Sequence, residues 1–307
     1  SSLVSVGTNG KLVYTPDSKG NVVPDFSGVG YMNSESLIPT VAVVTTVSPL
    51  VGDNSVNVQS AIDAVSLLPI DSNGFRGTIL FKSGTYQINT AITIKASGIV
   101  LRGEGFDGAG TNFVATKTSQ YNLFNFAGAS GMASVSSTTK AITDSYVPIG
   151  TKEITVASGH TFVVGDAVFV HRIPNDAWIS LLGMNLLTAI IPQDPLTKDW
   201  TADAYDMNSQ RKVTAVNGNV ITLDAPIMDI IDPTYSKGEL MKYTSSRIEK
   251  CGIENMRISS TYVSETDELH GWEAISFTNI TNSWARNIEV YYFGYSAVHI
   301  NDNASWI

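Results

Sequence analysis

The stretch 77–86 reads Gly-Thr-Ile-Leu-Phe-Lys-Ser-Gly-Thr-Tyr, and its pattern is the strongest indication of the fold. A short apolar run is closed by Ser and Gly, residue types that commonly bound strands. Similar runs follow at 91–94 (Ala-Ile-Thr-Ile) and 98–101 (Gly-Ile-Val-Leu). Short strands without long hairpin partners predict a solenoid, in which each strand pairs with the coils above and below it.

One helix is predicted before these strands. Val58, Ala61, Ile62 and Val65 follow the i, i+3, i+4, i+7 spacing of an amphipathic helix. The hydrophobic period then changes to that of strands from Gly77 onward.

The end of the chain contains a repeat. The segment 274–277 (Ala-Ile-Ser-Phe) matches 297–300 (Ala-Val-His-Ile), and 255–258 (Asn-Met-Arg-Ile) resembles 287–290 (Asn-Ile-Glu-Val). Ser283-Trp284 likewise recurs as Ser305-Trp306. A period in the low twenties suits one coil of a parallel β-helix, and the Leu-x-x-Leu-x-Leu signature of leucine-rich repeats is missing.

The region 143–245 interrupts this pattern. Asn217-Gly218 lies between two strand-like runs, which is the strongest short-range signal for a hairpin. Because local antiparallel pairing does not belong to a solenoid coil, we interpret 143–245 as an inserted small β domain.

The motifs at 58–63 (Val-Gln-Ser-Ala-Ile-Asp), 77–86 and 97–105 (Ser-Gly-Ile-Val-Leu-Arg-Gly-Glu-Gly) resemble the N-terminal region of the pectate-lyase superfamily. The resemblance implies an all-β fold, a right-handed parallel β-helix (solenoid), with a capping helix at 55–68 and coils from about residue 77. Lyases, hydrolases, epimerases and phage tailspikes share this module, so the resemblance leaves the chemistry open. The Trp-Ile-Asp-His and Arg-x-Pro-x-x-Arg segments of calcium-dependent pectate lyases are missing, as are Asn-Thr-Asp and Gly-His-Gly of polygalacturonase-like hydrolases.

Four regions are therefore expected along the chain. Residues 1–50 form an extended arm, 51–142 the capping helix and first coils, 143–245 the inserted domain, and 246–307 further coils. Ser305-Trp306 repeats the start of a coil, so we expect truncation at this end. The missing coils would come from the rest of a longer chain or from a second polypeptide.

Composition narrows the class of protein. Charged residues make up only 15% of the chain, which favours a secreted, periplasmic or cell-surface β-rich protein. The net charge of -9 argues against nucleic acid as a partner. No apolar run is long enough for a membrane span. The single cysteine, Cys251, excludes an internal disulfide and is predicted to be a buried hydrophobe.

A polar loop at 265–273 (Glu-Thr-Asp-Glu-Leu-His-Gly-Trp-Glu) offers the richest candidate site. Asp267 and Glu268 could bind Ca²⁺, a hard cation that prefers oxygen ligands. His270 could act as a general base and Trp272 could stack on a sugar ring. The alternative is a solvated acidic loop with a structural tryptophan.

Two further groups of residues could act on a glycan. His299 is predicted to point outward beside Ser276 of the previous coil, with Arg286 on a neighbouring coil, so His270, Arg286 and His299 form a candidate catalytic set. In the inserted domain, His171, Arg172 and Trp178 could bind substrate. The alternative for the first group is a surface ladder of polar side chains without catalytic function. The alternative for the second group is local packing.

The predicted partner is an anionic polysaccharide. The predicted function is that of a lyase that cleaves a uronate-containing glycan by β-elimination. A glycoside hydrolase with paired carboxylates is the alternative enzyme. A non-catalytic glycan-binding or adhesin-like β-helix is the alternative from another class of protein.

Overall fold

The computed structural model describes residues 3–307, with Asp203 described by its backbone alone. The chain is mostly β-structure with a few short helices. The earlier strands are β1 (Val4–Val6), β2 (Leu12–Tyr14), β3 (Val43–Val47), β4 (Gly77–Phe81), β5 (Gly84–Ile88), β6 (Ile92–Ile94), β7 (Ile99–Gly105), β8 (Thr111–Ala115), β9 (Tyr121–Ala127), β10 (Met132–Ser134) and β11 (Lys140–Ala141). The later strands are β12 (Glu153–Thr155), β13 (Ala167–Pro174), β14 (Met207–Asn217), β15 (Val220–Leu223), β16 (Ser236–Ser245), β17 (Ile248–Glu249), β18 (Gly252–Ser260), β19 (Gly271–Thr278), β20 (Ile280–Thr281), β21 (Trp284–Tyr291) and β22 (Ser296–Ile300). The α-helices are α1 (Ser55–Ser66), α2 (Asp176–Leu181) and α3 (Leu187–Ile190), and 3-10 turns lie at Tyr31–Ser34, Ser136–Thr138, Met184–Leu186 and Ala202–Ala204.

The chain divides into two compact units. The antiparallel unit contains residues 3–26 and 133–244, and the parallel unit contains 27–132 and 245–307. The boundaries expected from the sequence were 142/143 and 245/246.

The expected arm at 1–50 is not a single segment. Its residues after Phe26 belong to the parallel unit, where β3 pairs in parallel with β4. Val41 and Val47 are buried there, so the apolar side chains of this segment draw it against the sheet. Ser1 and Ser2, also assigned to the arm, lie outside the described residues.

The parallel unit is built from strands that pair with remote partners. Its largest sheet has the order β3-β4-β7-β18-β8-β5, with β21 also pairing with β18. A second sheet has the order β22-β19-β9-β6, and β17 pairs with β20. Every pairing within these three sheets is parallel. The chain leaves this unit after Met132 and re-enters it at Ser245.

Apolar residues of the second sheet lie in register and form continuous rows. One row contains Ile92, Phe124, Ile275 and Val298, and the other contains Ile94, Phe126, Phe277 and Ile300. The repeated segments 274–277 and 297–300 are thus neighbours in the sheet. Neighbouring strands lie about 4.8 Å apart, so equivalent side chains on them contact directly.

The predicted helix is confirmed as α1, which ends earlier than the expected 55–68. Its apolar residues Val58, Ile62 and Val65 are buried in the core of the parallel unit. Cys251 is fully buried in the same core, as predicted, and burial raises the pKa of its thiol to about 12.

Asparagines in the left-handed conformation form several turns of the parallel unit. Asn255 and Asn287 have φ values of 57° and 53°, and the Asn287 Nδ2 donates to the Asn255 Oδ1 at 2.9 Å. Asn279 and Asn303 repeat this arrangement, also at 2.9 Å. Asparagine tolerates this region of backbone space better than most residues, and its stacked amides bind one another.

The antiparallel unit has a different construction. Its main sheet contains β16-β13-β14-β15-β12, and each of these neighbours is antiparallel. The predicted hairpin at Asn217-Gly218 is confirmed, since Asn217 pairs with Val220. Its core includes Val168, Ile221 and Leu240. None of the helices in the described range 3–307 is long and apolar enough to cross a membrane.

Candidate functional site

A carboxylate–imidazole pair lies on the second sheet of the parallel unit. Glu273 on β19 and His299 on β22 are joined by a 2.5 Å contact between Oε1 and Nδ1. Asn122 on β9 donates from Nδ2 to the other oxygen of Glu273 at 2.7 Å. Because Nδ1 is engaged by the carboxylate, the Nε2 of a neutral His299 carries the lone pair. The pair therefore has the arrangement of an oriented proton acceptor.

The two side chains differ in exposure. The Glu273 side chain is 7% exposed, whereas that of His299 is 32% exposed. Glu273 is thus buried and fixed by its two hydrogen bonds, while the His299 imidazole reaches solvent. A buried carboxylate that orients an accessible imidazole can assist proton transfer to or from a bound molecule.

Aromatic rings lie beside this pair. Trp272 stacks on Tyr295 with ring centroids 5.7 Å apart and planes 9° apart. Tyr295 also meets the His299 ring edge-on at 5.3 Å and is 61% exposed. Broad aromatic surfaces with a polar group nearby are typical of small-molecule and sugar sites. Tyr295 therefore lies between His299 and Trp272, the residue predicted to bind substrate.

A polar row continues across the same sheet. His299 is the register partner of Ser276, as predicted, and Ser276 is the partner of Asn125 on β9. Asn301 donates from Nδ2 to the Ser276 Oγ at 2.8 Å. An amide nitrogen has two hydrogens, so Asn125 and Asn301 each keep one beyond the bond that they make.

His270 occupies a different environment from the one expected. As part of a polar loop it would be expected at the surface, but it is only 7% exposed. Its Nδ1 lies 3.3 Å from the Ser260 Oγ, and its ring lines a cleft of about 530 Å³. The loop that precedes β19 folds over the ring, which explains its burial.

Gly294 lies between His270 and the aromatic pair. A Cβ at Gly294 would come within 2.8 Å of the Trp272 ring and 3.6 Å of the His270 Nε2. The cleft lined by His270 is therefore next to the Trp272–Tyr295 stack.

The acidic loop does not supply a fitting set of calcium ligands. The two oxygens of Asp267 accept hydrogen bonds from the backbone N–H groups of Val263 and Leu269. These bonds also lower the pKa of the Asp267 carboxyl. Glu268 is exposed, and residues 3–307 contain no group of three His, Cys, Asp or Glu side chains placed to hold a metal ion. Asp267 instead stabilises its own loop, and the expected roles of Asp267 and Glu268 toward Ca²⁺ lack support from the donor geometry.

Arg286 belongs to a structural charge ladder. On the largest sheet, Arg102, Glu254 and Arg286 are register partners on neighbouring strands. The fully buried Glu254 accepts from the Arg102 Nε at 2.5 Å and the Arg286 Nε at 2.6 Å. Burial raises the pKa of Glu254, but bonds from Arg286, Arg102 and Trp284 outweigh it and leave that pKa lowered.

This ladder separates Arg286 from the expected catalytic set. Within the described part of the chain, no ion pair or hydrogen bond joins Arg286 to His270 or His299. Its guanidinium already compensates a buried carboxylate, so releasing it toward a substrate would leave Glu254 underpaired.

The remaining predicted residues lie together in the antiparallel unit. Arg172 is buried on β13, stacks over the Trp178 ring at 4.9 Å and donates to the Ile230 carbonyl at 2.9 Å. Burial lowers the pKa of Arg172, and the negative charge of Asp229 raises it by less, so that the pKa remains lowered. His171 contacts Asn208 at 2.7 Å and Asp206 at 3.2 Å. These contacts are all within the antiparallel unit, and the Arg172 Nη1 is buried without a hydrogen-bond partner among the described residues, so a binding role for the three side chains stays a prediction.

Sequence reasoning missed several residues of the site, above all Glu273 and Tyr295. Glu273 was visible as the last residue of the 265–273 loop, but the register shifts between Gly271 and Glu273. Simple strand alternation could not place its side chain across such an irregularity. The Tyr-Tyr-Phe-Gly-Tyr run at 291–295 was the available signal for an aromatic surface.

No protein-family profile and no curated protein matches the sequence. The solved structures similar to it include the gp54 tailspike of Acinetobacter baumannii bacteriophage AP22 in complex with A. baumannii capsular saccharide (TM-score 0.38, 13% identity, 78% of this chain covered). They also include the Pseudomonas phage phi297 tailspike gp61 (TM-score 0.34, 12% identity, 81% of this chain covered). A third is the Pseudomonas phage LKA1 tailspike gp49 (TM-score 0.32, 15% identity, 80% of this chain covered). The chain spans 34%, 42% and 43% of the length of these three proteins. Likenesses this weak do not carry an activity over to the chain, and they establish no family.

Proposed function

We propose that the parallel unit is part of a right-handed parallel β-helix that binds a polysaccharide along the sheet formed by β6, β9, β19 and β22. The stacked parallel strands and their continuous apolar rows support the solenoid. The observation that carries the function is the oriented Glu273–His299 pair beside the Trp272–Tyr295 stack. A sugar ring would lie on the exposed Tyr295 face with its polar edge toward His299.

The proposed chemistry is polysaccharide cleavage with His299 as the proton acceptor. Glu273 holds the Nδ1 proton and stabilises the imidazolium that forms when Nε2 takes a proton. General base catalysis of this kind contributes about 10²–10⁴-fold to a rate. The pair is a positioned base rather than a pair of free carboxylates.

This arrangement favours β-elimination over hydrolysis. Glycoside hydrolysis requires two carboxyl groups facing one bond, about 5–5.5 Å or 6.5–9.5 Å apart. Both oxygens of Glu273 are already bonded, to His299 and to Asn122. In an elimination, the His299 Nε2 would remove the C5 proton next to a uronate carboxylate. The C4–C5 double bond would form as the bond from C4 to the glycosidic oxygen breaks, and the departing oxygen would take a proton from water and leave as a hydroxyl. The spare amide hydrogens of Asn125 and Asn301 could bind the carboxylate.

The test is to incubate the protein with a panel of plant, algal and animal polyuronates. An eliminating enzyme produces new reducing ends together with an ultraviolet-absorbing unsaturated sugar. A hydrolase produces reducing ends without that absorbance, and a non-catalytic binder is retarded in a glycan-containing gel without producing either. Either of the last two results would overturn the lyase assignment.

Two substitutions connect the result to the pair. His299→Ala and Glu273→Gln should each lower kcat by about 10²-fold or more, with little change in the melting transition. His160→Ala in the antiparallel unit is the control, because that histidine contacts only local groups such as the Gly218 carbonyl. Unchanged turnover in His299→Ala would exclude this pair as the catalytic site.

A further inference from the structure

A second surface feature of the parallel unit is the cleft that contains His270. It lies between the loop 261–270, which joins β18 to β19, and the turn that joins β21 to β22. Its volume is about 530 Å³, which is enough for a sugar unit. Because Gly294 connects it to the Trp272–Tyr295 stack, a glycan bound at His299 could extend into it.

Two tyrosine rings form the aromatic part of the cleft. Tyr262 and Tyr292 lie 5.2 Å apart with their planes tilted by 40°, and they are 47% and 60% exposed. Tyr292 has a φ of 63°, a left-handed conformation that is rare for a bulky residue. Backbone of this kind is found preferentially at ligand-binding sites.

His270 presents a hydrogen-bond acceptor to the cleft. The Ser260 hydroxyl donates to the Thr261 carbonyl, so its oxygen accepts from the Gly271 N–H and from the His270 Nδ1. The neutral ring then carries its proton on Nδ1 and its lone pair on Nε2. Within residues 3–307, Nε2 has no hydrogen-bond partner, although the side chain is more than nine-tenths buried.

The charged groups of the lining are also acceptors, whereas its Ser, Thr and Tyr hydroxyls can both donate and accept. Glu265 and Glu268 are exposed at the cleft, and neither forms an ion pair within the described residues. No Lys or Arg is among the described residues that line it. The nearby cation Arg257 is paired with Glu289 at 2.6 Å. The acidic groups of this cleft therefore favour a ligand that supplies hydrogen-bond donors and adds no negative charge.

We infer that this cleft is a subsite for a sugar unit that carries a free, protonated amino group. An ammonium group has three donors, which match the His270 Nε2 and the Glu265 and Glu268 carboxylates. A cation over the tyrosine faces is further stabilised by the ring quadrupoles. A uronate would bring a carboxylate against two others, and an N-acetyl group would remove the charge and two of the donors. The inference rests on the proposed function and extends it to a glycan that contains amino sugars.

The experiment measures binding of a glucosamine oligomer by calorimetry at a pH at which its amine is protonated. Its fully N-acetylated counterpart and an oligogalacturonate of equal length serve as comparison ligands. We expect the amine-bearing oligomer to bind at least about tenfold more tightly than either, with an affinity that falls as salt is added. Equal affinity for the N-acetylated oligomer would overturn the inference.

Variants assign the binding to this cleft. The double change Glu265→Gln and Glu268→Gln should weaken binding of the glucosamine oligomer by about tenfold and remove its salt dependence. Tyr292→Gly should also weaken it, because glycine keeps the left-handed backbone while the ring is lost. Glu289→Gln is the matched control outside the cleft. If the double variant binds as the native protein does, the cleft is not the amine site.

The proposed function and this subsite can fail separately. His299→Ala should lower kcat by about 10²-fold or more and keep the preference for the glucosamine oligomer over its N-acetylated counterpart. Cleavage of a polysaccharide without selective binding of the glucosamine oligomer would contradict the subsite and leave the catalytic proposal standing. Selective binding without cleavage of any polysaccharide would sink the catalytic proposal alone.

Discussion

The two units of this protein are both built from β-strands, but they differ in strand direction and in how they turn the chain. In the antiparallel unit, β14 and β15 are joined by a local turn at Asn217-Gly218, where glycine supplies the positive φ of 58°. In the parallel unit, strands pair across long sequence separations, and many of its turns use asparagine. All described non-glycine residues with positive φ lie in the parallel unit.

The difference shows what stacking adds to a fold. A hairpin turn stands alone, so its backbone must be permissive by itself. A turn in stacked coils has an equivalent turn beside it, and the two side chains can bond each other, as Asn255 and Asn287 do. The same stacking puts Ser276 and His299 side by side, and the Glu273 side chain reaches His299 on the neighbouring strand from three positions away in the register.

Removal of a core aromatic ring should give the largest loss in the free energy of unfolding. The size of the loss should differ between the cores of the parallel and antiparallel units. Phe113 is fully buried and contacts the rings of Phe81, Tyr86 and Phe124 at 4.8–5.1 Å. Phe113→Ala should lower the free energy of unfolding by about 4 kcal/mol, through lost burial and the cavity left behind. Urea denaturation with peptide-resolved hydrogen exchange would measure the loss and locate it in the parallel unit.

Phe162→Ala is the control for this prediction in the antiparallel unit. Phe162 is buried but stacks on one ring, that of His160. Its replacement should cost less than that of Phe113. An equal or greater cost would mean that the aromatic stack adds nothing special to the parallel unit.

The buried charge ladder should give the next largest effect. Glu254→Ala leaves Arg102 and Arg286 without their shared carboxylate, and breaking a buried pair in this way costs about 3 kcal/mol or more. Glu289→Ala is the matched control, because its pair with Arg257 is about one-third exposed on both sides. That change should have little effect on unfolding.

The ladder also predicts how stability responds to acid. The pKa of Glu254 is lower in the folded protein than its ordinary value of 4.5. Its contribution is therefore complete above that value and is lost as the pH falls through the lowered folded pKa. Urea melts from about pH 7 to about pH 3 should show less acid destabilisation in Glu254→Gln than in the native protein. An identical pH dependence would rule out Glu254 as a source of it.

The asparagine turns should give the smallest effect. Asn287→Gly keeps the left-handed backbone but removes the bond to Asn255, so a loss of about 1 kcal/mol is expected from thermal melts. Gly218→Ala in the hairpin should lower stability by a similar amount, but through backbone strain and not through a lost hydrogen bond. Space around Gly218 is open, but alanine is strained at its φ. If Asn287→Gly melts as the native protein does, stacking of the amides is not what stabilises these turns.

Some features of the fold could be read directly from short sequence patterns. The apolar spacing at 58–65 predicted α1, and the Asn217-Gly218 pair predicted the hairpin. The repeats at 274–277 and 297–300 predicted strands that prove to be register partners. The segment 27–50 was misjudged, because its role depends on Val41 and Val47 meeting a sheet formed by later residues.

The candidate site was predictable only in part. Trp272, His270 and His299 were selected by residue type and position, yet His270 proved to be buried beneath its loop. Arg286 was selected for its charge, although that charge is committed to Glu254. A residue's type shows what chemistry it can perform, but its availability depends on partners that are far away in the sequence.

By itself, the sequence determined the local elements, because hydrophobic periodicity and turn chemistry act over a few residues. It also determined the stacking of equivalent residues, since a repeat places like against like in adjacent strands. Only the tertiary structure decided which polar side chains remain available. Glu254 meets Arg286 and Glu273 meets His299 through parallel pairing of separate strands, and an irregular register at β19 sets the position of Glu273. The resulting burial and hydrogen bonding separate a structural carboxylate from one that can orient a base.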